Sequence, residues 1–336
     1  MVARPALLKS LSLRALPFGK HAVPATAAAR HHQIRYSSHA PSPPPTNPKG
    51  SSPITIPALR KLYAKKTPIT MLTAHNYPSA LLAQAAGMDI ILVGDSLAMV
   101  SLGMTDTSEV TLDEMIVHAR AVSRAATLSF TIGDLPMGSY EISPEQGLAS
   151  AIRMMKEGRM QSVKLEGGIE MAETIRKITT AGIPVCAHVG LTPQRQHSLG
   201  GFRVQGNTLE KALDLLRDAK AVQEAGAFAV VLECVPPGIA ETVTEKLKIP
   251  TIGIGAGNGC SGQVLVQTDM LGQRPPDSFM PKFVKRYGRD WEHGLAAISQ
   301  YRDEVVSRQY PGPEYAYKAD AEVAAAFRKA ACETNP

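Results

Sequence analysis

From residue 69 onward, short apolar runs recur along the chain, separated by longer stretches in which apolar and polar residues repeat at helical spacing. The runs are Ile69–Thr73, Asp89–Val93, Leu128–Ile132, Ser162–Leu165, Ile183–Ala187, Phe228–Leu232, Thr251–Ile254 and Gln263–Val266. Each is strand-sized, and several are rich in β-branched residues. Between most of them lie predicted helices: Ser79–Ala86, Leu112–Ala126, Pro144–Gly158, Ile169–Ala181, Leu209–Ala225 and Ile239–Leu247. Several of these close on a glycine (Gly87, Gly158, Gly182, Gly226), a common residue at a helix C-terminus. Strands that alternate with helices imply parallel βαβ units. Eight of them across residues 69–266 fit a closed (β/α)8 TIM barrel, with a doubly wound open sheet as the alternative. Beyond residue 279 the pattern adds further helices, Trp291–Arg308 the clearest, which either cap the barrel or mediate assembly.

The first part of the chain has a different character. Pro41 to Pro57 contains seven prolines among Ser, Thr and Asn and cannot build a core. The formal charge is +6, but no acidic residue precedes Asp89, and Arg4, Lys9, Arg14, Lys20, Arg30, Arg35 and Lys49 all lie in the first 50 residues. Basic, Ala- and Ser-rich and free of acids, this segment has the composition of an organellar transit peptide. Arg35-Tyr36-Ser37-Ser38 resembles a mitochondrial processing site, and cleavage there removes six positive charges, leaving a chain near neutrality. A nucleic-acid-binding reading then loses its main support. The expected organisation is a mitochondrial transit peptide over 1–36, a linker over 37–57, a catalytic barrel with C-terminal helices over 58–312 and a tail over 313–336. No stretch approaches the ~20 apolar residues that span a bilayer. Cys186, Cys234, Cys260 and Cys332 are far apart with no CxxC pair, so reduced thiols are the expectation.

Candidate chemistry appears where the apolar runs end. The second leads into Gly94-Asp95-Ser96 and the third into Gly133-Asp134; the fourth contains Lys164 and is followed by Glu166, the fifth leads to His188 and the sixth to Glu233. Catalytic groups of α/β barrels sit at the carboxyl ends of the strands. Five successive strands delivering an ionisable residue there point to an active site. Lys164 and Glu166 share one face of a strand, where they form either a structural ion pair or a substrate-binding cation beside a metal-facing acid. Asp95 and Asp134 are the better candidates for a hard cation such as Mg²⁺, which takes one or two carboxylates plus water and substrate oxygens. Helix N-capping is the alternative for Ser96 and Asp134, and a core or capping role for His188. Gly257, Gly259 and Gly262 match GxGxxG, but an apparent strand follows instead of the helix that dinucleotide binding needs.

Taken together, the segments LVGDSLAMV (92–100), VKLEGG (163–168), AHVGLTPQ (187–194), GGFRVQG (200–206), VVLECVP (230–236), PTIGIGAGNGCSGQVLV (250–266) and MPKF (280–283) resemble the ketopantoate hydroxymethyltransferase family. The likeness runs from about residue 54 to the YPG at 310–312. It implies transfer of a hydroxymethyl group from 5,10-methylenetetrahydrofolate to 3-methyl-2-oxobutanoate with Mg²⁺, by a homo-oligomer that in this family is often a decamer. It further implies that Asp95 and Asp134 bind the metal, with Glu166 as a third acid acting directly or through water. Asp95, Ser96, Asp134 and Lys164 would line the oxo-acid site, and Glu233 would transfer protons, with His188 able to assist. Two departures stand out: a first-strand motif commonly TAYDY reads Thr73-Ala74-His75-Asn76-Tyr77, and Met137 replaces the Phe of LPF. A barrel of the phosphoenolpyruvate mutase or isocitrate lyase type is the competing enzyme reading, but its KxCxH-type loop is missing here.

Overall fold

The computed structural model describes residues 52–333; the presumed leader and most of the Pro-rich stretch lie outside the described residues. Eight parallel strands close into a barrel in the order β1 to β8: Ile69–Thr73, Ile90–Val93, Phe130–Asp134, Ser162–Glu166, Val185–Gly190, Ala229–Glu233, Thr251–Ile254 and Gly262–Leu265. Closure is made by β1 pairing with β8, with Met71 opposite Val264, which excludes the open doubly wound sheet.

The helices are α1 (Ile56–Ala64), α2 (Tyr77–Ala85), α3 (Leu97–Val100), α4 (Leu112–Ala125), α5 (Pro144–Lys156), α6 (Ala172–Thr180), α7 (Gln196–Leu199), α8 (Leu209–Glu224), α9 (Pro237–Lys246), α10 (Gln267–Met270), α11 (Asp290–Val306) and α12 (Ala321–Glu333). Several begin where the sequence supplies a cap. Thr111 and Glu114 form a capping box at α4, and Ser143 caps α5. The unusual Asn76 caps α2 by accepting from the Ser79 N–H at 2.9 Å, so Asn serves at that position as a capping residue. Helix α1 takes in the last residues of the Pro-rich stretch, with Pro57 in its first turn, where a missing N–H costs nothing. Its Leu59 is buried against the inside of the barrel. Residues 313–336, expected as a tail, include α12.

Alternation along the strands sorts the core into two. Ile69, Met71, Ile90, Leu92, Phe130, Ile132, Val231 and Ile252 fill the barrel interior. Ile91, Val93, Val163, Leu165, Val230 and Leu232 point outward under the helices. On the same alternation the polar residues 134, 164, 166, 188 and 233 face inward, above the apolar layers and at the carboxyl end of the barrel.

Candidate active site

Strand register brings the charges together. Asp134 is level with Lys164, Glu166 with His188, and Gly190 with Glu233. Lys164 Nζ lies 2.6 Å from Asp134 Oδ2 and 4.0 Å from Glu166 Oε1. The tight partner of Lys164 is therefore the aspartate on the neighbouring strand, not the glutamate two residues along its own. Asp95 joins from the end of β2: its backbone N–H donates to Asp134 Oδ2 at 3.2 Å. Asp134 is thus engaged by side chain and backbone inside the barrel and caps no helix. Ser96, at the start of α3, is half-buried and makes no capping hydrogen bond through its side chain.

His188 stands between two acids. Its Nδ1 is 3.4 Å from Glu166 Oε1 and its Nε2 is 3.3 Å from Glu233 Oε2. Neither ring nitrogen has a well-aligned hydrogen bond, so the contacts are ion-pair contacts. This placement puts His188 inside the barrel, on strand β5 and between two acids, rather than at a helix cap. Glu233 differs from the other acids in its access to solvent: its side chain is 14% exposed, against 0% for Glu166. Gly190 makes room for it. At φ +97° a Cβ on Gly190 would stand 2.5 Å from the Glu233 carbonyl oxygen. Cys234, directly after Glu233, also has a positive φ of 50°, so the chain turns sharply where the proton-transfer candidate leaves the strand.

Burial and neighbouring charge set the protonation of the group. Burial pushes the Asp134 carboxyl up to about 8, with Lys164 opposing and Asp95 adding to the rise. Burial alone would lower the Lys164 ammonium, but Asp134, Asp95 and Glu166 outweigh it and hold the pKa well above the ordinary lysine range. For His188, burial and Lys164 pull downward, while Glu166 and Glu233 prevail and raise it to about 9. Glu166 is also raised, chiefly by burial.

Two residues with no charge complete the arrangement, and the sequence reading gave neither a role. Gln194, the last residue of AHVGLTPQ, donates through Nε2 to Asp95 Oδ2 at 2.9 Å and to the Leu135 carbonyl at 3.0 Å. Its backbone N–H donates to Glu166 Oε2 at 3.1 Å. The Tyr140 hydroxyl donates to Gln194 Oε1 at 2.6 Å. Tyr140 sits in the loop after β3 with no sequence signal to mark it. The place of Gln194 at the end of a recognisable motif is the one sequence clue to it.

The donor set suits a hard divalent cation. Asp134 Oδ1 and Glu166 Oε1 are buried and have no hydrogen-bond partner, although their sister oxygens are both engaged. A cation would satisfy these orphaned oxygens and reverse the repulsion among the acids. Among the described residues no three acidic, His or Cys side chains enclose an ion unaided. A cation of the Mg²⁺ kind held here would need waters and substrate oxygens to complete its shell. Two shallow surface hollows, around Trp291 and between α5 and α6, share none of these residues. The GxGxxG segment is no dinucleotide site: Gly262 opens strand β8, and a Cβ on Gly257 or Gly259 would meet Pro237 or Glu241 of α9.

A closed parallel barrel with buried acids, a lysine and a histidine gathered at its carboxyl end is the arrangement of an α/β-barrel enzyme. Comparison with known proteins makes the class definite. The pattern described as "Ketopantoate hydroxymethyltransferase" matches residues 53–313, and the chain belongs to that family. A 3-methyl-2-oxobutanoate hydroxymethyltransferase of Emericella nidulans is 64% identical over 301 residues, covering 89% of this chain and 86% of the relative. The relative from Arabidopsis thaliana, named 3-methyl-2-oxobutanoate hydroxymethyltransferase 1, mitochondrial, is 47% identical over 292 residues, 84% of each chain. The chain is thus an enzyme of the hydroxymethyltransferase type. Among solved structures, a phosphoenolpyruvate phosphomutase from Streptomyces platensis subsp. rosaceus superposes with a TM-score of 0.51 at 16% identity, covering 82% of this chain and 96% of that one; the likeness is one of fold.

Proposed function

We propose that the enzyme transfers a hydroxymethyl group from 5,10-methylenetetrahydrofolate to 3-methyl-2-oxobutanoate, giving 2-dehydropantoate (ketopantoate) for pantothenate and coenzyme A synthesis. The observation that carries the reading is the division of labour among the buried acids. Asp134 and Glu166 each have one oxygen hydrogen-bonded to protein and one without a hydrogen bond, the free one of Glu166 lying 3.4 Å from His188, while Glu233 stands nearer the mouth. The names of the relatives support the oxo acid as substrate.

Asp95 and Asp134 would hold a divalent cation, with Glu166 joining directly or through water. When bound, the cation supplies Lewis-acid charge to the carbonyl and carboxylate oxygens of the oxo acid, which favours the enolate. Lys164 and Ser96, with the two aspartates, line the oxo-acid site, and the ammonium compensates substrate negative charge. Glu233 takes the proton from C3, and His188 couples it to Glu166. C3 then bonds to the one-carbon unit as both of its folate C–N bonds break, and water provides the new hydroxyl. The two folate nitrogens take up the proton released from C3 and the one released from water as tetrahydrofolate leaves. In the test, purified protein receives the oxo acid and the folate donor, with Mg²⁺ or with EDTA. Ketopantoate that forms only with the metal is the expected product, and metal-independent or absent turnover would contradict the reading.

The same proposal includes a homo-oligomer acting in mitochondria. Helix α11 has no buried residue and exposes Leu295, Ile298 and Tyr301, so much of its apolar surface is left uncovered within the described chain. Sedimentation as a monomer at micromolar concentration would refute assembly. The basic leader composition and the mitochondrial names of plant relatives support import. An import assay with isolated mitochondria that leaves the full chain outside would refute it.

A further inference from the structure

We propose that Gln194 and Tyr140 are positioning residues of the metal site, which together fix the carboxylates of Asp95 and Glu166 so that each keeps one oxygen for the cation. The inference rests on the metal assignment made above. Its basis is a closed chain of hydrogen bonds in which every direction is determined.

The Leu135 carbonyl can only accept, so the Gln194 atom 3.0 Å from it is the amide nitrogen. Both amide hydrogens are then used, one on Leu135 and one on Asp95 Oδ2 at 2.9 Å. The amide oxygen in turn requires a donor, which the Tyr140 hydroxyl provides at 2.6 Å. With its hydrogen committed, the Tyr140 oxygen accepts from the Glu166 backbone N–H at 3.3 Å. Flipping the Gln194 amide would set its oxygen against two acceptors, the Leu135 carbonyl and Asp95 Oδ2, and break both of those contacts at once. Gln194 and Tyr140 are 1% and 0% exposed, so water cannot replace a lost partner.

The geometry reaches beyond local support. Tyr140 comes from the loop after β3 and Gln194 from the loop after β5, flanking strand β4, which carries Lys164 and Glu166. Through Asp95 the pair also holds the end of β2. On Glu166 the Gln194 backbone N–H occupies Oε2 and leaves Oε1 without a hydrogen bond. The side-chain amide of Gln194 reaches Asp95 while the backbone N–H of the same residue reaches Glu166, so the position of one residue is tied to two acids delivered by different strands. Partners of this kind orient the ligands of a metal, and their loss typically lowers metal affinity about 10–100-fold.

The test uses Mn²⁺ as a paramagnetic probe, titrated into metal-free full-length protein by electron paramagnetic resonance, with thermal unfolding in EDTA measured in parallel. Gln194→Met should weaken Mn²⁺ about 10–100-fold. Tyr140→Phe, which removes one hydroxyl, should weaken it about fivefold and should fold even if Gln194→Met does not. Gln84→Met is the control. Gln84 is a buried amide at the amino end of the barrel, bonded to the N–H groups of Thr127 and Leu128. It should lose stability and keep its Mn²⁺ affinity. Folded Gln194 or Tyr140 variants with unchanged affinity would overturn the proposal, as would an equal loss of affinity in Gln84→Met. A wild-type protein that fails to bind Mn²⁺ would instead overturn the metal assignment beneath it.

Discussion

Lys164 Nζ and Asp134 Oδ2 approach to 2.6 Å inside the barrel, between neighbouring strands and almost out of reach of water. A buried pair of this kind stabilises little in net terms, because desolvating both ions offsets their attraction, but losing one member strands the other. Lys164→Met should therefore destabilise the protein by about 3–5 kcal/mol. Lys164→Met combined with Asp134→Leu should recover much of that loss and remain inactive. Urea denaturation of the three proteins checks this; a double variant no more stable than the single one would show that the pair is not the source of the loss.

Metal-free protein should lose stability as pH rises. Burial raises the Asp134 carboxyl above its ordinary value against the pull of Lys164, and, against burial, Glu166 and Glu233 raise the His188 imidazole from 6.5 to about 9. In each case the folded chain holds the proton more tightly than the unfolded one. The contribution is full below the unfolded value and lost as pH climbs through the folded value. In EDTA, the thermal midpoint should fall from pH 6.5 to 9.5, and less steeply between pH 7 and 9.5 in His188→Gln. A midpoint that rises over this range would contradict the assignment.

Asp95→Asn keeps the shape of the side chain and removes its charge. Calorimetric titration should show Mg²⁺ and 3-methyl-2-oxobutanoate weakened together, because the proposed function assigns the aspartate to both sites. Unchanged affinity for both ligands would refute its role.

Gly190→Ala tests the fit of strand β5 against Glu233. The substitution puts a Cβ 2.5 Å from the Glu233 carbonyl oxygen at a backbone φ of +97°. A loss of more than about 1 kcal/mol in stability is expected, together with lower kcat. Wild-type kcat in the variant would mean that the approach of the two strands does not position the acid.

The sequence carried the barrel because hydrophobic alternation and helix periodicity are local signals. It misplaced strand ends for a physical reason. Apolar runs ended the third strand at Ile132 and the fifth at Ala187, yet the strands continue to Asp134 and Gly190. Where a strand enters the active site its inward residues are polar, so an apolar-run criterion stops short of the functional side chains. Helix α1 went unread because its single buried residue, Leu59, follows a Pro-rich stretch. The row of strand-end ionisable residues was legible, but their partners were not. Whether Lys164 meets Glu166 or Asp134 depends on register across strands, and the role of Gln194 depends on a loop folding back over β4. His188 could be placed between two acids only once the register of β5 with both neighbours was known.

Glu233 as the proton-transfer acid, separate from the acids that hold the metal, is the central claim. It is tested most directly by deuterium exchange at C3 of 3-methyl-2-oxobutanoate in D₂O, without folate, in wild type and Glu233→Gln. The wild type should exchange with Mg²⁺ and stop with EDTA. Glu233→Gln should bind Mg²⁺ and the oxo acid with affinities close to wild type and lose exchange by about 10²–10⁴-fold. Exchange at the wild-type rate in Glu233→Gln, or loss of metal binding along with it, would contradict the division of roles.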